Sequence, residues 1–504
     1  MNLFASPRIA LVIALLAGGL LPLAFAPFGF YPLAVICPAL LLMVWLPATA
    51  QQAFNRGLLF GIGLFGIGAS WIFVSIHEFG NTSFFLAGLI TAIFVFVLGM
   101  FIAAQGYFFT RFFPTNTGYK LCLAFPCCWV MFEWLRSWVL SGFPWLFLGA
   151  SQTAAPLRGF APLVGEFGLS FLVALSSGLL VYAYCKKHRA WLSITALIVL
   201  WACGAALTLQ HWTQPEGKPL QISIVQGNIP QQMKWDPAYL QMTLQRYSEL
   251  TQPHWNSQLV FWPEAAIPLL YQQAKPFLDG MAAQAKQHNA AFITGIPVQD
   301  GFDYYNAIVA LGTGQGIYYK RHLVPFGEYV PLDSLLRGLI GFFDIPMSNF
   351  SAGPAHQEQL HAANLVIAPF VCYEIAYPNL VLPELPQANL LVTLSNDAWF
   401  GHSFASAQHL QISQLRALET GRYHIFGSNT GVSAIIDPQG NIQASTPAFQ
   451  SVVLTNTVLK MTGATPLVTI GVNAVLLSVA LLLFLALWLE WRPEKLPQEL
   501  VQQG

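Results

Sequence analysis

Three polar residues close three apolar runs in the second half of this 504-residue chain. Glu264 ends SQLVFWPE (257–264), Lys320 ends QGIYYK (315–320) and Cys372 ends LVIAPFVC (365–372). A thiol attacks as the thiolate and needs a base to form it. A carboxylate in a partly apolar pocket can be tuned to act as that base. An ammonium can hold the oxyanion that forms when a carbonyl is attacked. The set therefore fits covalent chemistry at a carbonyl carbon. Each residue also has an ordinary reading: a buried small hydrophobe for Cys372, a turn acid for Glu264, an edge-strand charge for Lys320. One fact favours chemistry. Cys37, Cys122, Cys127, Cys128, Cys185 and Cys203 all fall in or beside hydrophobic segments of the first 210 residues, so Cys372 has no disulfide partner in its own domain.

Strand ends of a rigid sheet can bring distant side chains within hydrogen-bond reach. The pattern between residues 213 and 462 supplies such strands. Short β-rich runs are expected at 220–228, 257–264, 290–298, 305–312, 315–325, 365–374, 389–397, 424–431, 432–440 and 451–458. Helices are expected at 236–251, 273–289 and 403–422. The mixture predicts an α/β sandwich with helices covering sheets. The DPQG at 437–440 reads as a hairpin turn. PLDSLLRGLIGFFDIPMSNF (331–350) is apolar and aromatic between polar segments. It reads either as a core helix or as a loop that dips into a bilayer and gates a site.

Composition says where this domain sits. The chain is 55% hydrophobic and 9% charged, with mean hydropathy +0.55. Soluble domains carry roughly 25% charged residues, so much of the chain belongs in lipid. Apolar runs near the roughly 20 residues needed to cross a bilayer occur at about 8–25, 30–47, 57–76, 84–109, 119–140, 161–184, 190–209 and 466–489. The prediction is a membrane protein with eight transmembrane α-helices plus one extramembrane α/β domain. Residues 1–212 form a seven-helix transmembrane region, 213–462 the outer domain, and 463–504 the eighth helix and a cytoplasmic tail. Alternate connections carry Arg8, Arg56, Arg111 with Lys120, then Lys186, Lys187 and Arg189, and finally Arg492 and Lys495. By the positive-inside rule these face the cytoplasm, together with both termini. An odd number of spans then puts the outer domain on the far side, which in a bacterium is the periplasm. Glu133 and Arg136, three apart on one helical face, are expected to pair. Formal net charge is zero, so nothing points to nucleic acid as a partner. No metal motif such as HExxH or CxxC is present.

The ordered set FWPEAAIP, YYKRHLVPFGEYVPL and VCYE resembles the nitrilase (carbon–nitrogen hydrolase) superfamily. That resemblance implies a Glu–Lys–Cys triad on an αββα sandwich. The topology, with LAFAPFGFYP in the first loop, SGFPWLFLG at 141–149, QGNIPQQMKWD at 226–236, SNDAWFG at 395–401 and LRALETGR at 415–422, is similar to the apolipoprotein N-acyltransferase family of Gram-negative bacteria. The run YHIFGSNTG departs from that family, with Tyr423 and Phe426 where many relatives have proline and arginine.

Carried over by position, the resemblance implies these roles. Glu264 is the general base, Lys320 stabilises the tetrahedral intermediate, and Cys372 is the acylated nucleophile. Glu328 orients the lysine. The backbone N–H of Tyr373 completes the oxyanion hole, and Tyr373 and Glu374 match residues required near the nucleophile. Asn396 is a supporting partner or a plain turn asparagine. Trp235 and Trp145 contact lipid or position loops, or else pack as interfacial and core residues. The implied reaction moves a fatty acyl chain from a membrane phospholipid, through a cysteine thioester, to the α-amine of an apolipoprotein's diacylglyceryl-cysteine. No cofactor is implied, and one copy of the chain suffices. Two alternatives stay open: a membrane-tethered amidase that passes the acyl group to water, and a transporter with an external binding domain. A papain-like Cys–His pair with His424 ranks far below the Glu–Lys set.

Overall fold

The computed structural model describes residues 6–80, 82–115, 118–329 and 349–491. Residues 331–348 of the apolar segment, and Arg492 and Lys495 of the tail, lie outside the described residues.

Apolar helices occupy both ends of the chain. They are α1 (Pro7–Leu20), α2 (Leu33–Trp45), α3 (Ala50–Gly68), α4 (Phe84–Phe112), α5 (Phe125–Arg136), α6 (Ala161–Cys185) and α7 (Ala190–Leu207). Among the described residues, five helices are long and apolar enough to cross a membrane. A sixth is added if Ala50–Gly68 and Trp71–Phe79, bent by 52° at the break, count as one. Apart from Ser193 and Gly204, α7 leaves its surface unburied, as suits an apolar helix solvated by lipid. The α3–α4 contact is made by small residues. A Cβ on Gly61 would lie 2.5 Å from the Gly99 Cα, so the two backbones approach as only glycine permits.

The middle of the chain folds into two six-stranded sheets. The first contains β1 (Gln214–Gln226), β2 (Leu259–Trp262), β3 (Ala291–Asp300), β4 (Asp303–Gly312), β5 (Ile317–Tyr319) and β12 (Val452–Thr462), in the order β12-β1-β2-β3-β4-β5. The second contains β6 (Leu360–Ala362), β7 (Leu365–Val371), β8 (Leu390–Ser395), β9 (Tyr423–Ser428), β10 (Ala434–Ile436) and β11 (Ile442–Ser445), in the order β11-β10-β9-β8-β7-β6. In each sheet the three central strands, β1-β2-β3 and β7-β8-β9, run parallel. Alternation along each strand decides which layer a side chain joins. Ile222, Ile224, Leu259, Phe261 and Ile293 face Ile367, Val371, Leu390, Val392 and Ile425 between the sheets. Their neighbours Val225, Val260, Trp262 and Phe292 point outward, against helices that carry Tyr247, Leu278 and Met281. Those helices are α9 (Leu240–Thr251) and α10 (Tyr271–Gln287), preceded by the four-residue α8 (Gln231–Lys234). On the other face α11 (Ala405–Thr420) is almost wholly buried, because the membrane helices cover it. The result is an αββα sandwich with one helical layer pressed on the apolar bundle.

That seam is polar and buried. Arg416 of α11 is ion-paired with Glu419 of the same helix and with Glu166 of α6. Gly165, just before Glu166, takes φ +63, and Glu419 accepts the Glu166 N–H at 2.7 Å. Burying the lone Arg416 would be prohibitive, and the two carboxylates together compensate it. Glu133 and Arg136 do not bond one another as expected. Glu133 instead accepts the Leu148 N–H, while Arg136 donates to the carbonyls of Phe143 and Trp145. The two charges thus hold a non-helical loop that a helical-face argument does not foresee. The chain ends in α12 (Val472–Trp491).

Candidate active site

Each chemical residue sits where a central or neighbouring strand gives way to a turn. β2 is pinned by four fully buried residues, Leu259–Trp262, each worth about 1.5–3 kcal/mol of burial. Pro263 then has no N–H to continue the ladder, and Ala265 at φ +44 turns the chain. β3 must pass directly beneath this turn. A Cβ on Gly295 would lie 2.6 Å from the Glu264 Cα, so glycine is required there.

β7 ends at Val371, and Cys372 adopts φ +54 before the 3-10 turn Cys372–Ala376. A left-handed non-glycine residue costs on the order of 1–3 kcal/mol. Two groups hold it. The Glu374 carboxylate accepts the Val371 N–H at 2.8 Å. The His409 Nε2 donates to the Cys372 carbonyl at 3.2 Å, and its Nδ1 lies 3.1 Å from Asp397. Cys372 and Tyr373 are partly exposed as residues, while Val371 and Glu374 on either side of them are buried.

Lys320 follows β5, its N–H donating to the Asn306 carbonyl at 2.8 Å and its own carbonyl accepting the Gly353 N–H at 2.7 Å. Its ammonium lies 2.8 Å from Glu328 and 3.7 Å from Glu264, and 5.6 Å from the Tyr373 ring centroid. Burial alone disfavours this ammonium, but Glu328 and then Glu264 outweigh it, so the net effect holds the proton more tightly than usual. The Cys372 thiol is pushed well above its ordinary value. Burial is the main cause and Glu264 adds to it, while Lys320 and a hydrogen bond with Ser395 pull the other way. The resting site therefore holds a protonated thiol that feels the charges of both Glu264 and Lys320.

The other sequence candidates fall into three groups. Glu328 and Asn396 belong to the cluster. Glu328 also accepts the Val324 N–H at 2.8 Å, and the Asn396 N–H donates to the Glu264 carboxylate at 2.8 Å. Glu374 and Tyr373 shape the loop beside it. Fully buried Glu374 accepts from the N–H groups of Arg321 and His322 and from the Tyr318 hydroxyl. The Tyr373 hydroxyl donates to the Leu323 carbonyl at 2.7 Å. The two tryptophans stand apart. Trp235 is half-buried at the end of α8. Trp145 is buried in the membrane seam, donating to Gln408 at 2.6 Å with its ring 5.7 Å from that of His409. His424 is not at the thiol at all. It bonds Thr393 and the Ser413 carbonyl, and burial pushes its ring down to about 4.

The sequence reading missed three groups. Asn306 donates through one amide nitrogen to both carboxylates, at 2.7 Å to Glu264 and 2.9 Å to Glu328. Its only sequence signal is a polar residue inside an apolar strand. His409 joins Asp397 to the Cys372 carbonyl. Lys234, hidden beside Trp235 in MKWD, donates to the Glu264 carbonyl at 2.9 Å.

Comparison with known proteins follows the same division of the chain. The apolipoprotein N-acyltransferase N-terminal domain model matches residues 17–179, and the carbon-nitrogen hydrolase model matches residues 221–466. The apolipoprotein N-acyltransferase of Coxiella burnetii is 47% identical over 461 residues, covering 90% of this chain and 95% of that one. That of Methylococcus capsulatus is 44% identical over 462 residues, covering 91% and 92%. That of Pseudomonas aeruginosa PAO1 is 43% identical over 494 residues, covering 96% and 97%. With a carbon–nitrogen hydrolase sandwich seated on apolar helices, and identity sustained from end to end, the chain belongs to the apolipoprotein N-acyltransferase family.

Proposed function

We propose that this enzyme moves a fatty acyl chain from a membrane phospholipid to the N-terminal α-amine of a diacylglyceryl-cysteine apolipoprotein, with Cys372 as the acyl carrier. The observation that carries the reading is the convergence of Glu264 and Lys320 on the Cys372 elbow, in a domain seated on the membrane helices. Glu264 takes the thiol proton, and the thiolate adds to an ester carbonyl of the phospholipid. The Lys320 ammonium and the Tyr373 N–H stabilise the oxyanion. Collapse breaks the ester C–O bond, Glu264 returns its proton to the departing lysophospholipid, and a thioester remains on Cys372. The acceptor's α-amine, with an ordinary pKa of about 7.7–8.0, attacks that thioester. Glu264 accepts the amine's proton, the C–S bond breaks, and the thiol is restored. The covalent intermediate makes the reaction ping-pong.

Both substrates carry acyl chains, so the site belongs at a lipid surface. Residues 1–212 and 463–504 form the membrane part, with eight crossings. Six are the long spans and the bent pair; α2 and the Lys120–Arg136 helix are shorter and complete the set. The even count keeps both termini in the cytoplasm, and the 213–462 domain faces the periplasm of a Gram-negative inner membrane. One copy of the chain carries the whole site.

Mass spectrometry of the purified full chain in phospholipid tests the reading. The expected result is a fatty acyl adduct on Cys372 that disappears on adding a diacylated lipopeptide and is absent from Cys372→Ser. An adduct that decays equally fast without lipopeptide identifies a hydrolase, and one that survives Cys372→Ala removes the nucleophile.

A further inference from the structure

His409 of α11 is 0% exposed, and Asp397, in the 3-10 turn Asp397–Phe400 after β8, is 2% exposed. The acyl-transfer steps use neither side chain, yet their bonds run to the turn that carries the thiol. His409 Nε2 lies 3.2 Å from the Cys372 carbonyl oxygen, and Nδ1 lies 3.1 Å from Asp397. Both partners are acceptors, so the ring donates from each nitrogen. Asp397 is fixed in turn by the hydroxyls of Ser395 at 2.7 Å and Ser406 at 2.8 Å. Aromatic rings clamp the imidazole, with centroids 4.9 Å away at Phe426, 5.7 Å at Trp145 and 6.1 Å at Phe400. A ring bonded at both nitrogens and packed on its faces has little freedom to rotate, so the carbonyl it holds is fixed as well.

The direction of that carbonyl decides the direction of the next N–H. The Cys372–Tyr373 peptide is trans, and in a planar trans peptide the C=O and the following N–H point in opposite directions. Drawing the Cys372 carbonyl toward His409 therefore turns the Tyr373 N–H away from α11. The ladder of β7 ends at Val371, so the sheet does not set the tilt of this peptide, and the task falls to the turn and to His409. Aim matters for such a donor, which acts only when it meets the charge that develops on the attacked oxygen.

We propose that His409 is a positioning residue of the acyl-transfer site, which holds the Cys372 carbonyl and so aims the Tyr373 N–H at the oxyanion. This rests on the reading of Cys372 as nucleophile and of the Tyr373 N–H as oxyanion donor. The test compares the full chain in detergent micelles with His409→Gln, His409→Asn and His409→Phe. Acylation of Cys372 is timed by mass spectrometry with two donors, a phospholipid and a p-nitrophenyl fatty ester. Alkylation of the same thiol by iodoacetamide is timed at pH 9. Both acylations pass through an oxyanion, whereas iodoacetamide loses iodide from a saturated carbon and forms none. A misaimed donor should slow acylation of His409→Asn and His409→Phe by about 100-fold, while their alkylation keeps the wild-type rate. Glutamine can carry an N–H to the place of Nε2, whereas asparagine reaches only Asp397, so His409→Gln should recover most of the acylation rate. The Gln and Asn variants decide the question if His409→Phe does not fold. Equal loss in acylation and alkylation overturns the inference, as does wild-type acylation of His409→Asn or a His409→Gln no faster than His409→Asn. A wild-type chain acylated by the ester but never by phospholipid removes the lipid-donor reading, and the ester rates then decide the role of His409. A chain acylated by neither overturns both.

Discussion

The Lys320 ammonium sits 2.8 Å from Glu328 and 3.7 Å from Glu264. The cation is tethered to Glu328 and held just short of Glu264, the carboxylate proposed above as the base. Removing the tether should let Lys320 close on Glu264 and compete for its proton-accepting oxygen. Glu328→Gln is expected to slow single-turnover acylation of Cys372 by about 100-fold or more, the low end of a lost general base. An acylation rate close to wild type would show that the tether is dispensable.

Asn306 supplies the neutral partner between the same two carboxylates. Asn306→Asp would crowd a third carboxyl into the cluster, where one proton must be shared. Activity should fall at pH 8 and partly recover near pH 6, where the added group is protonated and can again donate. Asn306→Ala should be low at both values and should lower stability by about 1–3 kcal/mol. The ratio of acylation rates at the two pH values separates the variants.

The buried Cys372 thiol has a predictable pH response. Burial and then Glu264 raise its pKa, so less thiolate is present at neutral pH than in a free cysteine. Without substrate, iodoacetamide alkylation should be slower than that of free cysteine at pH 7.5 and should still be climbing above pH 9. Lys320→Met removes an opposing cation and should push the climb higher still. A profile that levels off below pH 8 would contradict the charge arrangement described above.

Arg416 couples the membrane helices to the Cys372–Ala376 turn. It is ion-paired with Glu166 and Glu419, and its Nε donates to the Ile375 carbonyl at 3.1 Å. Arg416→Met leaves two buried carboxylates uncompensated, a loss of about 3–5 kcal/mol. Glu166→Gln keeps the Glu419 pair and should cost less. Thermal unfolding in micelles should rank wild type above Glu166→Gln above Arg416→Met. Equal unfolding temperatures for the two variants would mean that the seam is not held by charge.

The residue types of the site, and their places at strand ends, were written in the sequence. An apolar run that stops at a polar residue marks a strand end, and Glu264, Lys320 and Cys372 each close such a run. The apolar helices were legible for the same reason, and so was the 437–440 turn, where Gly440 N–H donates to the Asp437 carbonyl at 2.9 Å. Weak patterns failed. The expected 315–325 strand shrinks to Ile317–Tyr319, because the chain turns at Lys320 to reach Glu328. The edge strands β6 and β11 are three and four residues long with mixed burial, too short for a period-2 signal.

Partners are another matter. Asn306 reaches Glu264 across 42 residues, Asn396 reaches it across 132, and Glu166 meets Arg416 across 250. Sequence fixes what a side chain can donate or accept. Sheet register and the docking of α11 on the membrane helices decide which group it meets. For the same reason Lys234 and His409 read as ordinary polar residues until the packing put one against Glu264 and the other against Cys372. A hydrogen bond depends on a few tenths of an ångström between distant chain segments, and only the packed core sets that distance.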